Sequence, residues 1–234
     1  MMSFKKHFSV FALLSILVIA ISCKETKKEI TEVVEIDTFP QLKISENGHY
    51  FQTEKGKPFF WLGDTGWLTF NKLNRAEIKQ YFKDRKEKEY NVIQIMTIHS
   101  LPVANVYGDS ALVSKDLSKP LVTKGDNFDN AEAYDYWDHI DYALDVAKEE
   151  GLFLAMVPVW GSPISDGKVN IEQAKTYANF LAERFKGRDN IIWLVGPNNW
   201  YRKFASYDWP TSMNADKIYC NGKKCQEKKY FFCY

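Results

Sequence analysis

From Pro58 to Val195 the chain repeats one unit, a short apolar run followed by a segment with helical spacing. No other feature restricts its fold as strongly. The first run is Pro58-Phe59-Phe60-Trp61-Leu62-Gly63, continuous in apolar residues as a strand buried on both faces requires. Asn74 then stands as an N-cap with Glu77 three residues on, a capping-box pattern that predicts a helix to about Glu89 with Ile78, Tyr81 and Phe82 on one face. Asn91 to Met96 reads as a second strand, and a long loop from about His99 to Asn130 follows. Trp137, Ile140, Leu144 and Ala147 mark a second helix that Gly151 ends, and Leu152 to Val157 a third strand. Ile171, Ala174, Ala178, Leu181 and Phe185 step by three and four between Asn170 and Gly187, before a fourth strand from Asn190 to Val195. Such alternation implies an α/β fold with a parallel sheet covered by helices. Ahead of it, Asn47-Gly48 between Leu42–Ser45 and His49–Gln52 signals a β-hairpin.

A parallel sheet of this kind is either doubly wound or closed into a barrel. Gly63-Asp64-Thr65-Gly66 lacks the glycine spacing of a phosphate-binding loop. Instead, polar and aromatic residues stand just past the strands: Asp64 and Trp67, His99, Trp160, and the pair Asn198-Asn199. In a barrel these share the carboxyl-terminal face where catalytic residues gather, so the barrel is the expected closure.

The N-terminal segment is of a different kind. Lys5 and Lys6 precede a 14-residue apolar run from Phe8 to Ile21, shorter than the roughly 18 residues that suggest a membrane span. Residues 1–22 therefore read as a secretory signal peptide. Ala20-Ile21-Ser22-Cys23 resembles a lipobox, with Cys23 as the lipidated residue, although an ordinary signal peptide containing a cysteine reads the same way. Residues 23–38, opening Lys24-Glu25-Thr26-Lys27-Lys28-Glu29, form a charged tether. The expected location is exported and membrane-anchored, at the outer membrane or in the periplasm. Cys220, Cys225 and Cys233 fit no common zinc spacing, so no metal and no cofactor are expected. A net charge of +1 offers no electrostatic basis for nucleic-acid binding.

Several blocks carry a family resemblance. Asn47-Gly48-His49-Tyr50-Phe51, Gly56 to Trp67, Asn91-Val92-Ile93-Gln94, Tyr136-Trp137-Asp138-His139-Ile140-Asp141, Pro158-Val159-Trp160-Gly161-Ser162 and Asn190-Ile191-Ile192-Trp193-Leu194 resemble, in order, the apiosidase-like glycoside hydrolases. The resemblance covers roughly residues 40 to 196. It implies the N-terminal half of a (β/α)8 TIM barrel over 39–196, and an exported bacterial enzyme that cleaves glycosidic bonds of plant polysaccharide side chains. Where the family's fourth strand runs into Gly-Gly-Asp, with the Asp resembling one of two catalytic carboxylates, this chain has Gly196-Pro197-Asn198. Asn198 at that position supplies neither an acid nor a carboxylate base. Residues 197–234 lose the strand–helix rhythm, and two readings stay open: a shifted reading frame with an early stop, or a divergent cap. Four parallel strands alone also leave two open edges, which predicts low stability or self-association of the isolated chain.

Hydrolysis of a glycoside generally needs two carboxyl groups flanking the bond. Asp64 is the strand-end carboxylate, readable equally as a sugar ligand or a loop cap. Trp67 and Trp160 read as sugar platforms or as loop packing, and Trp160 is favoured by the Gly161-Ser162-Pro163 that follows. His99 is a binding or orienting candidate, and Tyr107 a cleft-lining one. His139 reads as a packing residue, Asp138 and Asp141 as helix-surface or loop-anchoring residues, and Asp126, Asp129 and Asp135 as solvated. The expected partner is an oligosaccharide or polysaccharide, together with a membrane met through the lipid anchor. Three functions follow: a glycoside hydrolase, a non-catalytic carbohydrate-binding lipoprotein, or a truncated inactive product.

Overall fold

The computed structural model describes residues 39–194 and, beyond them, two short paired segments. Strands β1 (Leu42–Ile44), β2 (Phe51–Thr53) and β3 (Pro58–Phe59) make a small antiparallel sheet. The main body follows as β4 (Gly63–Thr65), α1 (Thr69–Lys72), α2 (Arg75–Glu87), β5 (Val92–Ile98), α3 (Tyr136–Glu149), β6 (Phe153–Val159), α4 (Gly161–Ser165), α5 (Ile171–Arg184) and β7 (Ile191–Trp193). The later segments, β8 (Tyr219–Cys220) and β9 (Lys223–Lys224), pair antiparallel. The signal-like run, Cys23 and Asn198 lie outside the described residues.

Strands β4 to β7 form one parallel sheet in sequence order. Its two faces differ. Ile93, Ile95, Leu154, Met156, Ile191 and Trp193 pack with α2 (Ile78, Phe82), α3 (Trp137, Ile140, Leu144) and α5 (Tyr177, Leu181). The alternate residues Val92, Met96, Phe153, Ala155, Val157 and Ile192 pack with Phe39, Leu42, Phe59, Trp61 and Trp67. All three long helices thus cover one face. A doubly wound sheet would carry helices on both, whereas a barrel keeps them outside and fills its interior with strand side chains. The described residues are therefore a partial (β/α)8 barrel with a hairpin sheet before it.

Helix boundaries follow their caps. Asn74 Oδ1 accepts from the Glu77 amide (3.0 Å) while Glu77 Oε2 accepts from the Asn74 amide (2.8 Å). Asn170 and Gln173 repeat the device on α5. Each such cap contributes about 1 kcal/mol. Gly151 and Gly187, at φ 70° and 82°, take left-handed turns beyond α3 and α5 that a side chain would oppose. Ile171 departs from the expected apolar face: it is half exposed in the first turn of α5, and Tyr177 takes its place in the core.

The run from Pro58 to Gly63 is not one buried strand. Pro58 and Phe59 turn back onto β2, and Phe60 is 79% exposed. Asn91 then pins the chain by donating to the Phe60 carbonyl (2.6 Å) and accepting from the Leu62 amide (3.0 Å). The first barrel strand accordingly begins at Gly63, in register with Val92.

Candidate functional site

Two tryptophans meet at the carboxyl ends of the parallel strands. Trp67 lies two residues past β4, where its carbonyl accepts from the Met96 amide (3.1 Å) and its ring rests on the interior-face cluster. Trp160 follows β6 directly, and its amide donates to the Ile98 carbonyl (2.9 Å). The two rings sit edge to face, centroids 5.7 Å apart at 63°, one from each side of β5. Trp160 remains 42% exposed, which leaves an indole surface open to solvent. His99 is the residue immediately past β5 and is also exposed. The structure thus brings Trp67, His99 and Trp160 to the same ends of three adjacent strands.

Asp64 points elsewhere. Because β4 runs from Gly63 to Thr65, Asp64 is its middle residue, in register with Ile93 on the helix-covered face. Its Oδ2 accepts from the Tyr81 hydroxyl (2.8 Å) and lies 3.2 Å from Arg85 Nε, both on α2. Oδ1 accepts from the Thr65 amide (2.8 Å). Burial and the Asp64 carboxylate push the Tyr81 phenol well above its ordinary range, so it remains a donor. This carboxylate anchors α2 to the sheet and is turned away from the tryptophan pair.

Tyr107 is likewise part of the helix layer. Its hydroxyl accepts from the Arg75 amide (2.9 Å), and its ring meets Phe128 and His139 edge to face at 5.2 and 5.4 Å. His139 is fully buried, in keeping with a packing role. Asp135 is not solvated: only 3% exposed, it caps α3 by accepting from the Trp137 and Asp138 amides, and holds the long loop through the Thr123 amide (2.7 Å). Asp126 and Asp129 are exposed. Asp138 and Asp141 bind Arg184 between α3 and α5.

Gln94 is a residue that the sequence reading passes over. It shares the interior face with Thr65 and Ala155, its neighbours in register, and its buried Nε2 has no acceptor among the described residues. Parity along Val92–Ile98 is the signal for it, since it stands two residues from both Val92 and Met96, which belong to the interior cluster.

The site therefore offers stacking surface and an imidazole. Strands β4 to β7, with the residue following each, supply a single carboxylate, Asp64, on the other face.

Comparison with known proteins decides the family. The model of the apiosidase-like catalytic domain matches residues 45–220. The chain belongs to the apiosidase-like family. Among solved structures, this apiosidase-like chain is similar to a glycoside hydrolase at 40% identity and TM-score 0.61, over 76% of this chain and 39% of that one. A glycoside hydrolase of family 5 from Bacteroides vulgatus is 35% identical at TM-score 0.60, over 76% of this chain and 38% of that one. An endo-1,4-beta-mannanase from Rhizomucor miehei, 15% identical at TM-score 0.53 and covered over 60% of its length, shares the fold. The chain thus spans about two fifths of the length of the two more similar hydrolases. No curated protein matches it.

Proposed function

We propose that the apiosidase-like chain engages side chains of plant polysaccharides at the Trp67–Trp160 corner, and that it binds the sugar there without cleaving it. The observation that carries this reading is the pair of indole rings across the end of β5, with one left open. Flat aromatic faces stack on the C–H faces of sugar rings, and His99 beside them can exchange hydrogen bonds with hydroxyls. Lack of cleavage is supported by the family resemblance, which, aligned without a gap, sets Asn198 against the family's acid, and by the engagement of Asp64 with α2. An intact glycoside hydrolase is the alternative, and detectable release of sugar from rhamnogalacturonan oligosaccharides would establish it over binding alone.

Binding is tested by titrating the same oligosaccharides. Trp160→Ala removes an exposed stacking surface and is expected to weaken affinity by about 30-fold, the equivalent of about 2 kcal/mol for an aromatic anchor. Equal affinity of wild type and variant would remove the corner from the site. On the export side, we propose that Cys23 is acylated and holds the protein at a bacterial membrane. The full-length chain is then expected to partition into the detergent phase of Triton X-114, and Cys23→Ala into the aqueous phase. Aqueous partition of both would contradict the anchor.

A further inference from the structure

We propose that His139 is a proton-sensitive clasp: neutral, it holds the tip of the long loop on the helix layer at the barrel rim, and protonated it lets the tip go. The imidazole is fully buried between three segments. Nε2 lies 3.0 Å from the Leu73 carbonyl in the α1–α2 turn, and Nδ1 lies 3.3 Å from the Tyr134 hydroxyl ahead of α3. A carbonyl can only accept, so Nε2 carries the proton, Nδ1 accepts, and Tyr134 donates. The same imidazole stands perpendicular to the ring of Tyr107 from the loop tip, which itself packs on Phe128.

A second proton has no favourable place here. On Nδ1 it would face the Tyr134 hydroxyl, which must swing its own hydrogen away before it can accept. The charge would also be buried near Arg75, whose guanidinium is held 4.6 and 3.9 Å from the Phe128 and Tyr142 ring centres. Of the groups facing the ring, Tyr107 packs against it, burial holds the Tyr134 phenol above its ordinary range, Arg75 opposes the proton, and Asp109 together with the Leu73 carbonyl favours it. Burial outweighs these and holds the imidazole below its ordinary value. A histidine whose folded value is depressed takes its proton more readily in the open state. The clasp is therefore fully closed above about pH 6.5 and weakens as pH falls below it.

Other contacts bound the moving part. The Asn71 bond to the Ala104 carbonyl, the Trp137 bond to the Ala111 carbonyl and the Gln173 bond to Asp116 contain no imidazole. Opening is confined to residues 105–109 and 127–134, at the end of the barrel where α2 and α3 begin, and it also breaks the bond from the Arg75 amide to the Tyr107 hydroxyl (2.9 Å), which His139 reinforces.

Hydrogen exchange of the full chain at pH 7.5 and 5.5, corrected for intrinsic rates, tests this. Opening of those two segments is expected to rise by as much as about tenfold at pH 5.5, with β5 and β6 unchanged, because an unfolded-type histidine gains about that factor over one pH unit below 6.5. His139→Gln offers an N–H to Leu73 and an oxygen to Tyr134 without titrating, and is expected to stay closed at both pH values. Tyr134→Phe, which leaves the fold's helices intact, is expected to open the same segments already at pH 7.5. Equal exchange of the wild type at both pH values, or an unaltered pH response in both variants, would overturn the clasp.

Discussion

Trp137→Ala is expected to cost about 3–5 kcal/mol, the range for deleting a large buried aromatic. The indole is fully buried on α3 and is surrounded by rings: Phe180 at 4.7 Å, Tyr136 at 5.4 Å and Tyr177 at 6.1 Å. Removing it forfeits the transfer free energy of the ring and leaves a cavity that these aromatics cannot fill without leaving their own rotamers. It also removes one of the two donors to the Ala111 carbonyl, Trp137 Nε1 at 3.2 Å, leaving the Leu121 amide at 2.9 Å, so the long loop loses its bond to α3 there. Domains of this size carry about 5–15 kcal/mol in total, so the variant is expected to approach global unfolding. Urea denaturation followed by circular dichroism measures it. Trp137→Phe keeps much of the volume and is expected to retain most of the stability. A loss below about 1 kcal/mol in the alanine variant would mean that α3 does not dock as described.

Arg184→Ala is expected to be comparably destabilising, through charge rather than volume. Arg184 Nη2 donates to Asp138 Oδ1 (2.6 Å) and Nε to Asp141 Oδ2 (2.9 Å), while Arg188 completes the row by pairing with Asp141 and Asp145. The Asp138 side chain is only 6% exposed and that of Arg184 16%. Burial pushes both the Asp138 and Asp141 carboxyl groups above their usual range, and the guanidinium opposes that rise. Without Arg184 a carboxylate is left buried and unpaired at Asp138, for which the loss is about 3–5 kcal/mol. The pH dependence separates this from lost packing. A carboxyl whose folded value lies above its unfolded one carries its penalty above the folded value and loses it as pH falls through that value. The deficit of Arg184→Ala relative to wild type is therefore expected to shrink between neutral pH and about pH 4 in thermal unfolding. A deficit independent of pH would assign the effect to packing alone.

What was legible in the sequence was what local chemistry encodes. The pairs Asn74 with Glu77 and Asn170 with Gln173 mark two helix starts because a capping box is a contact between residues three apart. The third box, Asp135 with Asp138, escapes a search for glutamate or glutamine, so Asp135 reads as solvated and Asp138 as a helix-surface or loop-anchoring residue. Pro58 to Gly63 misled because a continuous apolar run states burial and not partners: two of its residues serve the hairpin sheet, and the barrel strand starts at its last. That displacement alone turns Asp64 from a residue past a strand end into one facing α2, since side chains alternate along a strand. Tyr107 shows the other limit. Its partners, Arg75, Phe128 and His139, lie 21 or more positions away in the chain, and no spacing rule connects them. Trp67 and Trp160 were visible singly because each follows a strand, but their meeting depends on β4 and β6 flanking β5.

The most direct measurement of sugar binding at the strand ends is a crystal structure of the chain soaked with a rhamnogalacturonan oligosaccharide. The expected result is a sugar ring stacked about 4 Å above the open face of Trp160, with its hydroxyls within reach of His99. A sugar held on the helix-covered side, or one touching neither Trp67 nor Trp160, would contradict it.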